Sequence, residues 1–286
     1  MLDKPPGLTS HACVARVRRR YQLKRVGHGG TLDPAVTGVL PIALGSATRL
    51  LPYLPGAKAY RGVIQLGLRT GTNDLSGEVL ERSAVPDLDL LQLNACLESF
   101  RGPIQQRPPQ VSAVHVAGER AHVRVRRGET LELKARAVTI HRLELLRWDP
   151  EHHRLELEVS CSAGTYIRAL ARDLGDRLGC GGALATLRRT EALGFGLTGS
   201  VDLERLEAEP LLPLRDPLLA LAHLPRHQLD AADWLGWRCG RGPGTAMELT
   251  PDQAVVVVSP DGNLAGMARS APDGRLQPRL VLDPAG

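Results

Sequence analysis

The stretch Gly27-His28-Gly29-Gly30-Thr31-Leu32-Asp33-Pro34 puts a single carboxylate on a glycine-rich bend, directly before a proline. Proline disfavours the helical region for the residue before it, so Asp33 is expected to be extended, with its carboxylate projecting from a defined bend. The glycines let another backbone or a ligand come close. One carboxylate held this way can act as a nucleophile or stabilise positive charge on a reacting carbon. The plain alternative is a helix N-cap, with Asp33 as the cap and Pro34 in the first helical position. The two readings are compatible, because a cap can also present a catalytic group.

Further motifs accompany this one. Leu2-Asp3-Lys4-Pro5-Pro6-Gly7-Leu8-Thr9-Ser10 stands near the start, followed by Lys58-Ala59-Tyr60-Arg61 and by Arg69-Thr70-Gly71-Thr72-Asn73-Asp74 with Gly77. Later come Cys161-Ser162-Ala163-Gly164-Thr165-Tyr166-Ile167-Arg168, Asp173-Leu174-Gly175 and Leu187-Arg188-Arg189. Taken together, in this order and at this spacing, roughly residues 1–200 resemble the bacterial tRNA pseudouridine-55 synthases of the TruB type. Several short motifs in register carry far more weight than any one of them.

The resemblance implies a reaction that breaks the N1–C1′ bond of a uridine, rotates the uracil and rejoins it through C5. This is an internal rearrangement, so neither a redox cofactor nor a metal is expected. The resemblance gives the catalytic role to Asp33, leaving open whether it attacks C1′, attacks C6 or removes a ribose proton. It makes Arg168 the charged partner of Asp33, since a nearby arginine favours the ionised form of a buried carboxylate. The target base must leave its RNA stack, and flipped bases are commonly held by aromatic stacking. That role falls to Tyr60, with Tyr166 and Leu187 lining the same pocket. His28 is expected to contact RNA and fill the space left by the flipped base. Lys4 and Pro5 are expected to support the catalytic loop, and Asp74 to orient a basic group.

The composition sets the frame for these residues. A chain of 286 residues exceeds what one core usually serves, so two domains are expected. No apolar run is long enough to span a membrane and no signal-peptide pattern stands at the N-terminus. The five cysteines are scattered with no C-x-x-C pair, which argues against a disulfide framework and a zinc site and fits a reducing cytoplasm. Only four of the 36 basic residues are lysine, and the formal net charge is +5. Arginine pairs with phosphates bidentately and stacks on bases, although a GC-rich genome accounts for the bias equally well. The charge is uneven. Residues 11–30 hold six basic side chains and no acid, and residues 101–130 hold six arginines against Glu119 and Glu129. Two such clusters flanking a candidate site favour a phosphate-binding surface.

Elements that must position these residues follow from pattern. Thr9 or Ser10 can cap a helix running to about residue 21. Residues 58–68, 136–146 and 154–161 read as strands, 87–101 and 165–178 as helices. Residues 103–130 show no clean period and read as a long basic loop or small lobe, from which Arg124, Arg126 and Arg127 are expected to grip RNA. In this lobe the chain has Val111-Ser112-Ala113-Val114-His115 where the resembled family usually shows a Tyr-Ser-Ala-x-Lys run. Four prolines within 209–227 mark a boundary. Short strands after residue 254, joined by Asp261-Gly262 and Asp273-Gly274 turns, suggest a small β unit.

The combined expectation is an α+β enzyme with a mixed, mainly antiparallel sheet flanked by helices and loops. Its catalytic domain would span 1–222, and a small all-β, PUA-like RNA-binding domain would span 223–286. It would isomerise one uridine in the T stem-loop of tRNA, in the cytoplasm, as a monomer, with no cofactor, membrane or protein partner. The alternatives are an RNA-guided synthase of the same fold and a tRNA-binding folding chaperone with incidental catalysis. A hydrolase is disfavoured, because glycosidases of either stereochemistry normally need two carboxylates.

Overall fold

The computed structural model describes residues 1–112, 114–116, 118–129, 131–208 and 210–282; the side chains of Val116, Arg120, His122 and Arg126 lie outside the description. The chain forms two compact units, one made of Met1–Cys13, Gly30–Pro41 and Gly56–Leu203, the other of Val14–Gly29, Ile42–Pro55 and Glu204–Gly286.

The first unit is built on an eight-stranded sheet. Its strands are β1 (Leu2–Lys4), β2 (Thr37–Leu40), β3 (Lys58–Leu66), β4 (Gly102–Gln106), β5 (Arg136–Asp149), β6 (Arg154–Cys161), β7 (Gly182–Ala192) and β8 (Phe195–Gly196). Across the sheet the order is β1-β2-β7-β3-β6-β5-β4, with β8 folded back on β7. Neighbours are antiparallel except β2 and β7. The alternation in β6 buries Leu155, Leu157, Val159 and Cys161. Its helices are α2 (Leu90–Glu98), α3 (Ala121–Arg126) and α4 (Ile167–Arg177), while α1 (Ser10–Tyr21) has only its first turn in this unit. The buried face of β6 joins Ile64 and Leu66 of β3, Leu93 and Leu97 of α2, and Leu170 and Leu174 of α4 in one core. Each leucine so buried contributes roughly 1.5–3 kcal/mol.

Helix α2 is shorter than its expected 87–101, because Asp89 and Gln92 form a capping box that fixes its start. The segment 103–130 is more ordered than the expected loop. Its first residues form β4, an edge strand where Pro103 costs no interior ladder bond. The rest folds around a small core of Val114, Ala121, Leu131 and Leu133.

In the second unit, Arg226–Gln228, Ala254–Val258, Leu264–Ser270 and Leu276–Val281 form a four-stranded sheet in that order. One face packs on Trp237 of the helix Ala231–Arg238, whose Nε1–H donates to the Ala265 carbonyl at 3.1 Å. Another core of this sheet, with Val256, Met267 and Leu280, takes in Leu50 from the 3₁₀ helix Gly45–Tyr53. The segment 223–286 therefore supplies the sheet, while two earlier segments complete its compact unit. Among the described residues, no helix is long and apolar enough to cross a membrane.

Candidate active site

Asp33 lies on the connection leading into β2. The Val36 amide donates to the Asp33 carbonyl at 3.0 Å, and Pro34 and Ala35 form a turn. No helix follows, so the N-cap reading gives way to a β-turn in which proline occupies the second position.

The turn is clamped on both sides by the first motif. The Ser10 hydroxyl accepts from the Leu32 amide at 2.8 Å and donates to the Leu32 carbonyl at 3.1 Å. On the other flank the Pro34 carbonyl accepts from the Gly7 amide at 2.9 Å and from Lys4 Nζ at 3.0 Å. Lys4 is fully buried and also donates to the carbonyls of Pro5 (2.8 Å) and Leu8 (2.7 Å). Burial pulls its ammonium below the usual lysine range, partly offset by the charges of Cys13 and Asp33. Lys4 thus binds three backbone carbonyls, one of them next to Asp33.

Arg168 enters from the start of α4. Its side chain is 9% exposed, whereas that of Asp33 is 46% exposed. One nitrogen, Nη2, meets Asp33 Oδ2 at 2.9 Å and the Val111 carbonyl at 3.0 Å. The other, Nη1, donates to the Thr72 carbonyl at 3.0 Å and lies 3.6 Å from Asp74 Oδ2. Asp74 is itself fixed, its Oδ1 accepting from the Thr72 hydroxyl at 2.7 Å and the Ser76 amide at 3.0 Å. The result is an Asp33–Arg168–Asp74 chain with a rigid guanidinium at its centre and one carboxylate open to solvent.

Tyr60 lies in the middle of the sheet, opposite Val159 of β6 and Arg189 of β7. Burial pushes its phenol up to about 12. Leu187, two residues from Arg189, covers Gly62 of β3 and packs on the main core. Tyr166 is the N-terminal cap residue of α4. Its amide donates to Gln106 Oε1 at 2.8 Å, its carbonyl accepts from Gln106 Nε2 at 3.1 Å, and its ring packs against the small lobe core. His28 belongs to the second unit, on the strand Val26–His28 paired with Ile42–Leu44.

Two of the lobe arginines, Arg124 and Arg127, are engaged within the protein. Arg124 pairs with Glu129 at 2.6 Å and Arg127 with Glu119 at 2.8 Å. The Arg127–Glu119 pair is exposed, and pairs of that kind are worth roughly 0–1 kcal/mol.

Two residues that the sequence shows only as parts of motifs prove central. Arg189 is fully buried; its Nε–H donates to the Val39 carbonyl at 2.8 Å and its Nη2 to the Gly30 carbonyl at 3.1 Å. It thereby ties the start of the Asp33 loop to the strand that ends it. Gly38 is required there: its φ is +104°, and a Cβ would stand 2.1 Å from the Arg189 carbonyl oxygen. Lys58 lies half-buried beside Arg189. Among the described residues no cluster of metal-ligating side chains occurs, and all five cysteines are free.

This architecture recurs in solved structures. The crystal structure of a Cbf5-Nop10-Gar1 complex superposes on 99% of this chain and 84% of that one, with a TM-score of 0.73 at 26% identity. The structure of an H/ACA RNP bound to a substrate RNA containing 2'-deoxyuridine gives a TM-score of 0.72 over 99% and 84%; at 23% identity it supports the fold alone. In sequence, residues 18–167 match the N-terminal domain of the TruB family pseudouridylate synthases, and 168–215 match the C-terminal domain of tRNA pseudouridylate synthase B. A tRNA pseudouridine synthase B of Parasynechococcus marenigrum (strain WH8102) is 62% identical over all of this chain and 97% of its own length. Another, of Synechococcus sp. (strain WH7803), is 58% identical over 100% and 97%. These likenesses are to isomerases. The chain belongs to the TruB family of pseudouridylate synthases.

Proposed function

We propose that the protein converts uridine 55, in the T stem-loop of tRNA, to pseudouridine, with Asp33 as the catalytic carboxylate. The observation that carries this reading is the Asp33–Arg168 pair at 2.9 Å, in which the arginine is buried and the carboxylate faces solvent. A preorganised ion pair fixes the carboxylate in one orientation before the substrate arrives, so little reorganisation remains at the moment of reaction. Arg168 is in turn held by two backbone carbonyls and the Asp74 carboxylate.

Tyr60 stacks on the extruded uracil, and Tyr166 and Leu187 line its pocket. His28 contacts the RNA and occupies the gap in the loop, Lys4 holds the catalytic turn, and Asp74 orients Arg168. Arg124, Arg126 and Arg127 grip the RNA backbone, and residues 223–286 act as a PUA-like RNA-binding domain. The enzyme works in the cytoplasm as a monomer, without cofactor or guide RNA.

The test is product mapping. Unmodified tRNA transcript incubated with the protein alone should gain pseudouridine at one T-loop position. Modification only after a guide RNA and accessory proteins are added would favour the guided type, and binding without any product would favour a chaperone.

A further inference from the structure

Lys58 and Arg189 form an unusual pair. Both side chains face Gly30, on the loop that carries Asp33. A Cβ placed on Gly30 would stand 3.4 Å from Arg189 Nη1, 3.5 Å from Lys58 Cε and 3.5 Å from Lys58 Nζ. Arg189 is fully buried, yet its Nη1 has no hydrogen-bond partner. Among the described residues, no carboxylate lies within salt-bridge distance of either cation, whereas Asp33 and Asp74 are both engaged by Arg168. The ionisable neighbours are Tyr60, whose hydroxyl hydrogen-bonds the Arg189 guanidinium, and Cys161, beside Lys58; burial raises the pKa of both and keeps them neutral. Burial pulls both cations below their usual ranges, and the charge of Arg189 lowers Lys58 further.

Two adjacent cations withdrawn from water without a counter-charge are costly, and natural interiors pair them or neutralise them. Retaining them next to a catalytic loop makes sense if an anion arrives with the substrate. The anionic groups of an RNA are its phosphates, and a lysine ammonium beside an arginine donor suits phosphate oxygens. The bare Cα of Gly30 leaves the space in front of both nitrogens clear of any side chain of its own.

We infer that Lys58 and Arg189 form a seat for a backbone phosphate flanking the target nucleotide, with Lys58 at its mouth and Arg189 behind. This rests on the reading of the protein as an RNA uridine isomerase. The seat draws the sugar–phosphate toward Gly30, three residues before Asp33 in the chain, while the base enters beside Tyr60, the β3 residue that pairs with Arg189.

The test uses the full-length protein and a T-loop RNA hairpin whose linkages on either side of the target uridine are replaced, one at a time, by neutral methylphosphonates. At one of these positions wild type should lose about tenfold in affinity, the usual scale of one charge-assisted hydrogen bond. Lys58→Gln should bind the native hairpin about tenfold more weakly and show no further loss on the neutral linkage. Lys58→Arg should restore most of the affinity and the sensitivity. The inference is overturned if wild type ignores both neutral linkages, if Lys58→Gln binds native RNA as wild type does, or if Lys58→Gln remains as sensitive as wild type. An unchanged unfolding midpoint in Lys58→Gln separates a missing phosphate interaction from a misfolded protein. Pseudouridine formation by wild type on the native hairpin tests the functional reading separately, since its failure would leave the binding comparison readable.

Discussion

Arg168 meets Asp33 through Nη2 at 2.9 Å and leaves Nη1 to Asp74, 3.6 Å away. A single buried guanidinium therefore sets the position of one carboxylate while a second carboxylate sets its own.

Asp33→Asn should abolish turnover and leave tRNA affinity almost unchanged. The amide keeps the shape and removes the charge. Single-turnover assays decide the matter: retention of more than about a tenth of the wild-type rate, a barrier change below roughly 1.4 kcal/mol, would exclude Asp33 from a covalent role.

Arg168→Lys should slow turnover by more than about tenfold, because an ammonium cannot span two carbonyls and two carboxylates from one plane. Asp74→Asn should cost less, since Asp74 touches Arg168 only at 3.6 Å and keeps its hydroxyl and amide donors. Equal losses in kcat for the two variants would mean that Asp74 acts on more than orientation.

Tyr60 links pH to stability. Its phenol ionises at about 12 in the fold against 10.0 ordinarily, because burial disfavours the phenolate. Between those values the unfolded chain releases a proton that the folded chain keeps. The contribution is therefore complete below the ordinary phenol pKa and lost as pH rises through the folded one, amounting to about 2–3 kcal/mol. The stability difference between wild type and Tyr60→Phe should shift by that amount across this range and stay flat below it. Activity adds a second readout: Tyr60→Phe should keep much of it and Tyr60→Leu should not, because stacking needs the ring.

Lys4→Met should lower unfolding free energy by about 3 kcal/mol, since three carbonyls lose the common donor that the buried Lys4 supplies. Denaturant titration measures this. The effect should appear as lower stability and slower turnover together, because one of those carbonyls belongs to Pro34, next to Asp33.

Replacing Arg124, Arg126 and Arg127 together with alanine should weaken tRNA binding at low salt. It should also reduce the slope of log affinity against log salt by about 0.7–0.9 for each phosphate that is no longer neutralised. The single-turnover rate at saturating tRNA should fall far less. An unchanged slope would leave Arg124 to its pair with Glu129 and Arg127 to its pair with Glu119, and would move the grip to residues 11–30 or the C-terminal sheet.

Strands with strict alternation were readable from the chain alone: Leu155, Leu157, Val159 and Cys161 mark β6 without ambiguity. Strand β7 was not, although it lies at the centre of the sheet. Register shifts between Leu184 and Thr186 and between Arg189 and Glu191 break its period of two. The lobe escaped for a related reason, being assembled from two-residue strands and a helix of six residues. In the site, glycine, proline and motif spacing pointed to Asp33, Tyr60 and Arg168. The sequence marked Arg189 only as part of a motif, because an arginine is normally a surface residue and it is the pairing of β7 between β2 and β3 that buries this one. The Asp89–Gln92 capping box was a signal that would have placed the start of α2.

The parallel pairing of β2 with β7 also sets when the enzyme can come into being. Arg189 reaches the Val39 carbonyl across 150 positions of chain. During synthesis the Asp33 loop and β2 emerge long before β7, and pairings so distant in sequence are slow to form and must await the later strand. A nascent chain that ends before Gly182 carries the carboxylate but lacks both the strand beside β2 and the guanidinium that ties Gly30 to Val39. The Asp33 loop therefore gains its tether only once the β7 segment has been made, so one of the last parts of the sheet to be synthesised fixes one of the first.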